Sequence, residues 1–358
     1  GACLSRGVDS NLVAAVLMDL SEQPVRTYTA RVHGSPAPLV PSTADAGLHR
    51  EVTLHAADLS EHWGRLTWHR DAPLTDPTDV AVYLVAQAAR GEVDLLLTGE
   101  GGDELFGGYR RYRAARALSV VEGIPGALRS RLLGSLDPAL RSWSGAARTA
   151  MRAVAAQDEA ERFGEWAAPF SSAERAVLLR ARPGLPSSSS RPAALTGDLV
   201  SRMQRYDLGS WLPGARLDRD DRMAMAASVT LRPPLLDDKL VATALRIPSG
   251  IRLHQGRTKW VLRQVARRYL PPDVVDRPRT GFHVPLAAWL RGPLRDEAWD
   301  RLTGRDSFVA GALDGPTVRR LLQRHSDGVH DESTRIWALM ALEVWHETFQ
   351  RSAIPTPV

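Results

Sequence analysis

The run Thr98-Gly-Glu-Gly-Gly-Asp-Glu-Leu-Phe-Gly-Gly-Tyr109 sets Glu100, Asp103 and Glu104 among glycines, directly after the apolar stretch Val93 to Leu97. Such a stretch reads as a buried strand, and open α/β sheets bind ligands outside the carboxyl ends of their strands. Gly99, Gly101 and Gly102 admit a close approach that side chains would forbid, while the carboxylates offer charge suited to a cation or a reaction. The opening of the chain repeats the arrangement. Ala2-Cys3-Leu4 is short and apolar, Ser5-Arg6-Gly7-Val8-Asp9-Ser10 is a polar turn, and Leu12, Val13, Val16, Leu17 and Leu20 recur at helical spacing. Strand, loop and helix in that order leave the first N–H groups of the helix facing the loop, beside the Ser5 and Ser10 hydroxyls. That setting favours an anion such as phosphate. The Lys-Ser/Thr ending of a Walker-type loop is missing, which disfavours kinase and GTPase chemistry.

A triphosphate brought beside Asp9 and Asp103 would be repelled by roughly 4 kcal/mol per unit-charge pair at 4 Å and an effective dielectric of about 20. A divalent cation must intervene. Hard carboxylate oxygens shared with phosphate oxygens suit Mg2+, and Asp9 and Asp103 are its expected ligands. Taken alone, Asp9 in such a turn would read as a helix N-cap.

The Ser5 to Ser10 segment resembles the SGGxDS pyrophosphate loop of the N-type ATP pyrophosphatases. Joined to Thr98 to Tyr109, it is similar to the synthetase domain of the glutamine-dependent asparagine synthetases. Two further stretches resemble that family's internal and C-terminal signatures: Leu217 to Asp237, with Asp221-Arg222-Met223 and Arg232-Pro-Pro-Leu-Leu-Asp237, and Lys259 to Trp289, with Leu262-Arg263 and Gly281-Phe282-His-Val-Pro285. The resemblance covers essentially the whole chain. It implies an ATP-dependent, amide-forming ligase that activates aspartate as β-aspartyl-AMP, releases pyrophosphate and passes the acyl group to ammonia, giving asparagine and AMP. ATP is then a substrate and Mg2+ the metal held by Asp9 and Asp103. By the same resemblance Glu100 supports the intermediate and its attack by ammonia, and Lys259 is the catalytic lysine that contacts phosphate. Cys3, Ser5, Gly7, Asp9, Ser10, Ala30, Thr98 and Gly99 are the implied nucleotide and pyrophosphate contacts.

Blander readings stand beside these. Glu100 could simply take backbone N–H groups in a glycine-rich loop, and Lys259 could be a solvated helix lysine. Arg222 and Arg232 read as buried ion-pair partners of Asp221 and Asp237. Glu104 is expected to face the following helix or an arginine and stays outside the catalytic set. The chain also departs from the family pattern. Arg6 stands at the loop's first glycine, where its charge would tighten pyrophosphate binding or its bulk would obstruct the close approach. Asn11 replaces a usual serine, Thr230 a usual glutamate and Arg279 a usual lysine, while Gly34 to His49 is Pro- and Ala-rich and shortened, which bears on the acceptor pocket. Two alternatives therefore stay open: a specialised amide, lactam or macrolactam synthetase using the same adenylation on another carboxylate, and a non-catalytic nucleotide-binding homologue. The family's N-terminal glutaminase domain has no counterpart in these residues. Because Gly1 already enters the first strand, upstream sequence is expected, and ammonia would come from that domain, from a partner in trans or from solution. A homodimer stays open.

Holding the two loops at one edge requires a sheet. Strands are expected near Ala2 to Leu4, Arg26 to Val32, Glu51 to Leu54 and Val93 to Leu97, with helices near Asn11 to Leu20 and Asp79 to Arg90. This predicts an α/β fold, a parallel twisted sheet with flanking helices over residues 1–113, of the adenine nucleotide alpha hydrolase-like (PP-loop) type by resemblance. From Ala114 strand signals fade into a mainly helical C-terminal half, residues 114–350, within one synthetase-type domain spanning 1–350. Arg182 to Pro192, rich in Pro and Ser, reads as an exposed loop, and Ser333 to Phe349, with Ile336, Trp337, Met340, Leu342 and Trp345, as a packing helix.

Composition bounds the rest. With 358 residues, 44% of them hydrophobic, the chain can bury a large core. A net charge of only +5 argues against nucleic acid, and the basic clusters Arg110-Arg111 with Arg113, and Arg267-Arg268, read as solvated helix faces. The single cysteine, Cys3, excludes an internal disulfide, fits a reducing cytosol and lacks the pair on which tRNA-thiolating relatives rely. It reads as a small apolar filler of its strand. No apolar run reaches the length of a membrane span and no signal peptide is visible, so a soluble cytoplasmic protein is expected.

Overall fold

Ala2–Cys3 (β1) and Leu95–Leu97 (β4) run side by side and parallel at the centre of a five-stranded sheet of order β3-β2-β1-β4-β5. Thr27–Val32 (β2) and His49–Leu54 (β3) extend it on one side, and Thr230–Arg232 (β5) closes it on the other, every pairing being parallel. The computed structural model that carries this sheet describes residues 1–35, 48–119, 149, 152–154, 156, 159–180, 195–278 and 281–351. The expected loop from Arg182 to Pro192, Arg279, and most of the segment from Gly34 to His49 lie outside the described residues.

The expected α/β architecture with a parallel, helix-flanked sheet is what forms. The chain leaves β1 toward β2 and β3, then returns across β1 to build β4 and β5. That reversal makes the crevice between the carboxyl ends of β1 and β4 a topological switch point, where such sheets take ligands. The helices are Val8–Leu20 (α1), Ala56–Arg70 (α2), Thr78–Ala89 (α3), Gly102–Phe106 (α4) and Arg110–Leu118 (α5), followed by a long helical series. Neighbouring residues Leu96 and Leu97 of β4 point to opposite faces and join different apolar clusters, so both faces are covered. One cluster gathers Tyr28, Val32 and Leu54 with Leu59, Trp63 and Leu66 of α2; the other gathers Val8, Leu12 and Val13 with Phe106 and Leu262.

Two elements differ from expectation. α1 begins at Val8, not Asn11, so its N-cap is Gly7 and Asp9 lies inside the first turn instead of capping it. The fifth strand comes from Thr230–Arg232, in the stretch where strand signals had faded; three residues are too few to show alternation, and its ladder partner is β4. Ser333 to Phe349 forms the expected packing helix over Ser333–His346, with Trp337 stacked on Trp63 at 4.0 Å between ring centroids. Trp337 Nε1 donates to Leu74 O at 3.0 Å, so truncation would also strip a buried carbonyl of its donor. Trp337→Ala is expected to lower the unfolding free energy by about 3–5 kcal/mol in urea titrations. Among the described residues no helix is long and apolar enough to cross a membrane.

Candidate active site

Ser5 to Ser10 and Thr98 to Gly102, the loops that leave β1 and β4, meet in the switch-point crevice. The first is tied down from within. Ser5 Oγ and Ser10 Oγ share a hydrogen bond of 2.7 Å, Gly7 N donates to Ser5 Oγ at 3.1 Å, and Ser5 N donates to Ser10 Oγ at 3.1 Å. Asn11, fully buried, donates its amide to Ser5 O at 2.9 Å and to Gly7 O at 2.6 Å. Its substitution for serine thus supplies two bonds that clamp the loop over the first turn of α1. In the sequence Asn11 shows only as a departure from the family pattern; the role depends on the loop folding back over the helix.

The second loop is pressed against the first. A Cβ added at Gly99 would lie 2.6 Å from Ser10 N, and one at Gly102 would lie 2.8 Å from Asp9 Cγ. Only glycine allows this approach, which brings Asp103 on α4 up to Asp9 on α1. Lys259 completes the group. It caps the helix Trp260–Ala266 from the left-handed region, with φ 56° and ψ 34°, and its side chain is 4% exposed. Its Nζ bonds Asp9 Oδ2 and lies 2.8 Å from Asp103 Oδ1. Burial works against the ammonium, but Asp9 and Asp103 more than offset this and hold Lys259 above the ordinary lysine range. The solvated-lysine reading does not hold.

Glu100, in the second loop, faces a wall built around Arg219. Its side chain is 29% exposed, and Oε1 lies 3.9 Å from Nη2 of Arg219. Burial, and then the charge of Asp220, raise its pKa above the ordinary glutamate range. Arg219 was not singled out in the sequence, where it is lost in the Asp-rich run Asp218 to Asp221. It is buried. Nε and Nη2 donate to Asp220 Oδ1 at 2.8 and 2.7 Å, Nη1 donates to Thr78 Oγ1 at 3.1 Å, and Asp76 and Asp79 lie at 3.6 and 3.7 Å. Its position four residues before buried Met223, hence on the same helix face, was the available signal. A cavity of about 170 Å3 lies beside this wall, lined by residues that include Thr98, Asp220, Asp221 and Arg232.

One member of that wall titrates unusually. Asp79 is 2% exposed, Nε of Arg219 at 3.7 Å is too far for a hydrogen bond, and burial pushes its carboxyl up to about 8 from 3.8. A raised carboxyl contributes stability that is whole below about pH 4 and lost as pH rises to about 8, because the unfolded chain ionises first. Asp79→Asn should therefore stabilise the chain increasingly from pH 4 to pH 8, by about 1.4 kcal/mol per pH unit at most, and the gap should then level off in urea unfolding series.

The remaining candidates fall as follows. Cys3 sits half-buried on β1, its thiol pushed up to about 12 by burial and by Asp220, which suits a filler and not a nucleophile. Ala30 packs from β2 against the first cluster, and Thr98 N donates to Arg232 O at 2.9 Å. Glu104 is buried within α4, accepting from the Tyr109 hydroxyl at 2.7 Å, and burial raises it to about 7. The expected pairs of Arg222 and Arg232 are not formed: Arg222 pairs with Asp218 at 3.4 Å, Arg232 donates to Leu231 O, and Asp237 caps the helix Asp238–Arg246. Both arginines are exposed, so no buried partner is required. Arg111, read as part of a solvated basic face, instead turns inward to Asp207 at 3.0 Å and covers the Tyr109 ring at 4.3 Å.

Asp9 and Asp103 also pass a test of fitness for a metal. Two carboxylates from different helices converge on one buried point, that of the Lys259 nitrogen, and both offer the hard oxygens that Mg2+ takes.

Comparison with known proteins bears on this site. A family model described as asparagine synthase matches residues 1–347. A Mycobacterium tuberculosis protein provisionally named asparagine synthetase (glutamine-hydrolyzing) is 33% identical over 99% of this chain and 55% of its own length. Asparagine synthetase 1 (glutamine-hydrolyzing) of Bacillus subtilis is 29% identical over 97% of this chain and 55% of its own. The amidase chyE of Penicillium rubens is 22% identical over 90% and 54%. The chain spans about half the length of the curated relatives it matches.

Proposed function

The chain belongs to the asparagine synthase family, and on that premise we propose that it is an ATP-dependent, amide-forming ligase that carries the synthetase half-reaction. The observation that supports this best is the convergence of Asp9, Asp103 and Lys259 at the switch-point crevice, with Glu100 in the loop that leads to Asp103. The α1 N-terminus, Ser5, Gly7 and Ser10 would receive the pyrophosphate end of ATP, with Thr98, Gly99, Cys3 and Ala30 toward the nucleoside. Asp9 and Asp103 would hold Mg2+, whose contribution when bound is to neutralise the triphosphate and the charge developing on the leaving group.

A carboxylate oxygen of aspartate attacks the α-phosphorus, the bond to the β-phosphate breaks, and pyrophosphate departs beside Lys259. Ammonia then attacks the acyl carbon of β-aspartyl-AMP, the carbon–oxygen bond to AMP breaks, and Glu100 takes the proton that the new amide must lose. In this reading residues 1–350 act as one synthetase domain, an α/β core over 1–113 and a mainly helical part over 114–350. Ammonia is supplied by a glutaminase domain upstream or in trans, and the setting is cytoplasmic.

Pyrophosphate release assayed with ATP, Mg2+ and a panel of carboxylates tests the proposal. Aspartate-dependent release is expected. A selective response to another acid would move the chain to the specialised amide or lactam synthetases, and ATP binding without release would make it a nucleotide-binding homologue.

A further inference from the structure

Building on the nucleotide site proposed above, we propose that Lys259 is a resident counter-ion. Its ammonium holds Asp9 and Asp103 until nucleotide phosphates take it over, so that this chain binds a divalent cation only together with nucleotide. Three observations carry this. First, the ammonium lies at the point where both carboxylates converge, bonded to Asp9 Oδ2 and 2.8 Å from Asp103 Oδ1. Second, the path of the side chain depends on a glycine. A Cβ at Gly108 would overlap both Asp103 Oδ1 and Lys259 Cε, so the aliphatic stem runs along a glycine that is cut to fit it. Third, the backbone at Lys259 is held in the left-handed region, φ 56°, by a bond from its N–H to Phe106 O of 3.1 Å. A non-glycine residue rests there only where its surroundings over-determine it, and such positions recur at clamps and switches.

Charge explains the coupling. The ammonium cancels one of the two carboxylate charges it bridges, and a dication added beside a buried ammonium would meet like-charge repulsion in a setting that screens poorly. Phosphates remove that conflict. They give Lys259 a new partner at the moment the carboxylates are released, and the lysine arrives at the departing pyrophosphate already charged.

The test is Mn2+ binding to the nucleotide-free chain, followed by electron paramagnetic resonance, with Lys259→Gln, which keeps donors but not charge. Lys259→Gln is expected to bind Mn2+ at least about tenfold more tightly than the wild type, the gain vanishing when Asp103→Asn is added. Inorganic pyrophosphate should raise the Mn2+ affinity of the wild type and not that of Lys259→Gln beyond the shared effect of chelation. Equal Mn2+ affinity of wild type and Lys259→Gln overturns the counter-ion role while leaving the ligase reading intact; absence of ATP binding by the wild type overturns the ligase reading without touching the Mn2+ difference. If Lys259→Gln folds poorly, its unfolding midpoint serves instead: Mn2+ alone should raise it by more than it raises the wild type, and no such rise overturns the role.

Discussion

Asp103→Asn should abolish Mg2+-dependent pyrophosphate release, by about a thousandfold or more, while leaving the fold in place. The size follows from charge. Removing one unit charge near 4 Å from a cation is worth roughly 4 kcal/mol at an effective dielectric of about 20, which is close to three decades in rate. The fold survives because Asp103 stands on the short helix α4, is 19% exposed at its side chain, and leaves Lys259 still paired with Asp9. A breakage of both pairs would strand a buried ammonium and cost far more stability. The measurement is a pyrophosphate assay run beside a thermal unfolding curve. Turnover equal to the wild type would remove Asp103 from the metal site, whereas a lost unfolding transition would make it a folding residue.

The parts of this site that could be read from the sequence are those whose chemistry is local. Ser5 to Ser10 and Thr98 to Gly102 announce themselves because each follows an apolar stretch and concentrates glycine with acids within a few positions. β5 does not, since Thr230–Arg232 is a strand only by virtue of lying against Leu95–Leu97. Lys259 could be nominated from its surroundings in Gly256 to Arg263, yet its pairing with Asp9 spans 250 positions and no local pattern encodes it. Arg219 escaped for a related reason. In sequence it is one charge among several on an acidic helix start, and only the packing of the helix Asp218–Met225 against α3 turns it from solvent toward Asp79 and Glu100. The expectation of buried pairs for Arg222 and Arg232 failed on the same ground, because which face of that helix is buried, and which way the end of β5 faces, depend on elements far away in the chain. Glycines are the exception among long-range features: Gly99 and Gly102 were legible, since the absence of a side chain is itself the signal of a close approach.

Glu100→Gln should reduce amide formation by about a hundredfold to ten-thousandfold, the range that a positioned general base supplies, with ATP affinity unchanged. The substitution keeps the shape and the contact to Arg219 but removes the proton acceptor. The pH profile discriminates this role from a structural one. A base works when ionised, so the wild-type rate should rise with pH through the pKa of Glu100. Because burial, and then Asp220, raise that pKa, the limb lies above the ordinary carboxylate range and toward neutrality. In Glu100→Gln this limb should be missing, while the titration of ammonia itself, common to both proteins, remains. Arg216, and then Arg219, limit how far the limb is displaced, since their guanidinium charges oppose the upward shift. Amide formation by Glu100→Gln at the wild-type rate, or a residual rate that keeps the same limb, would show that the proton goes elsewhere and would leave Glu100 as a wall of the acceptor pocket only.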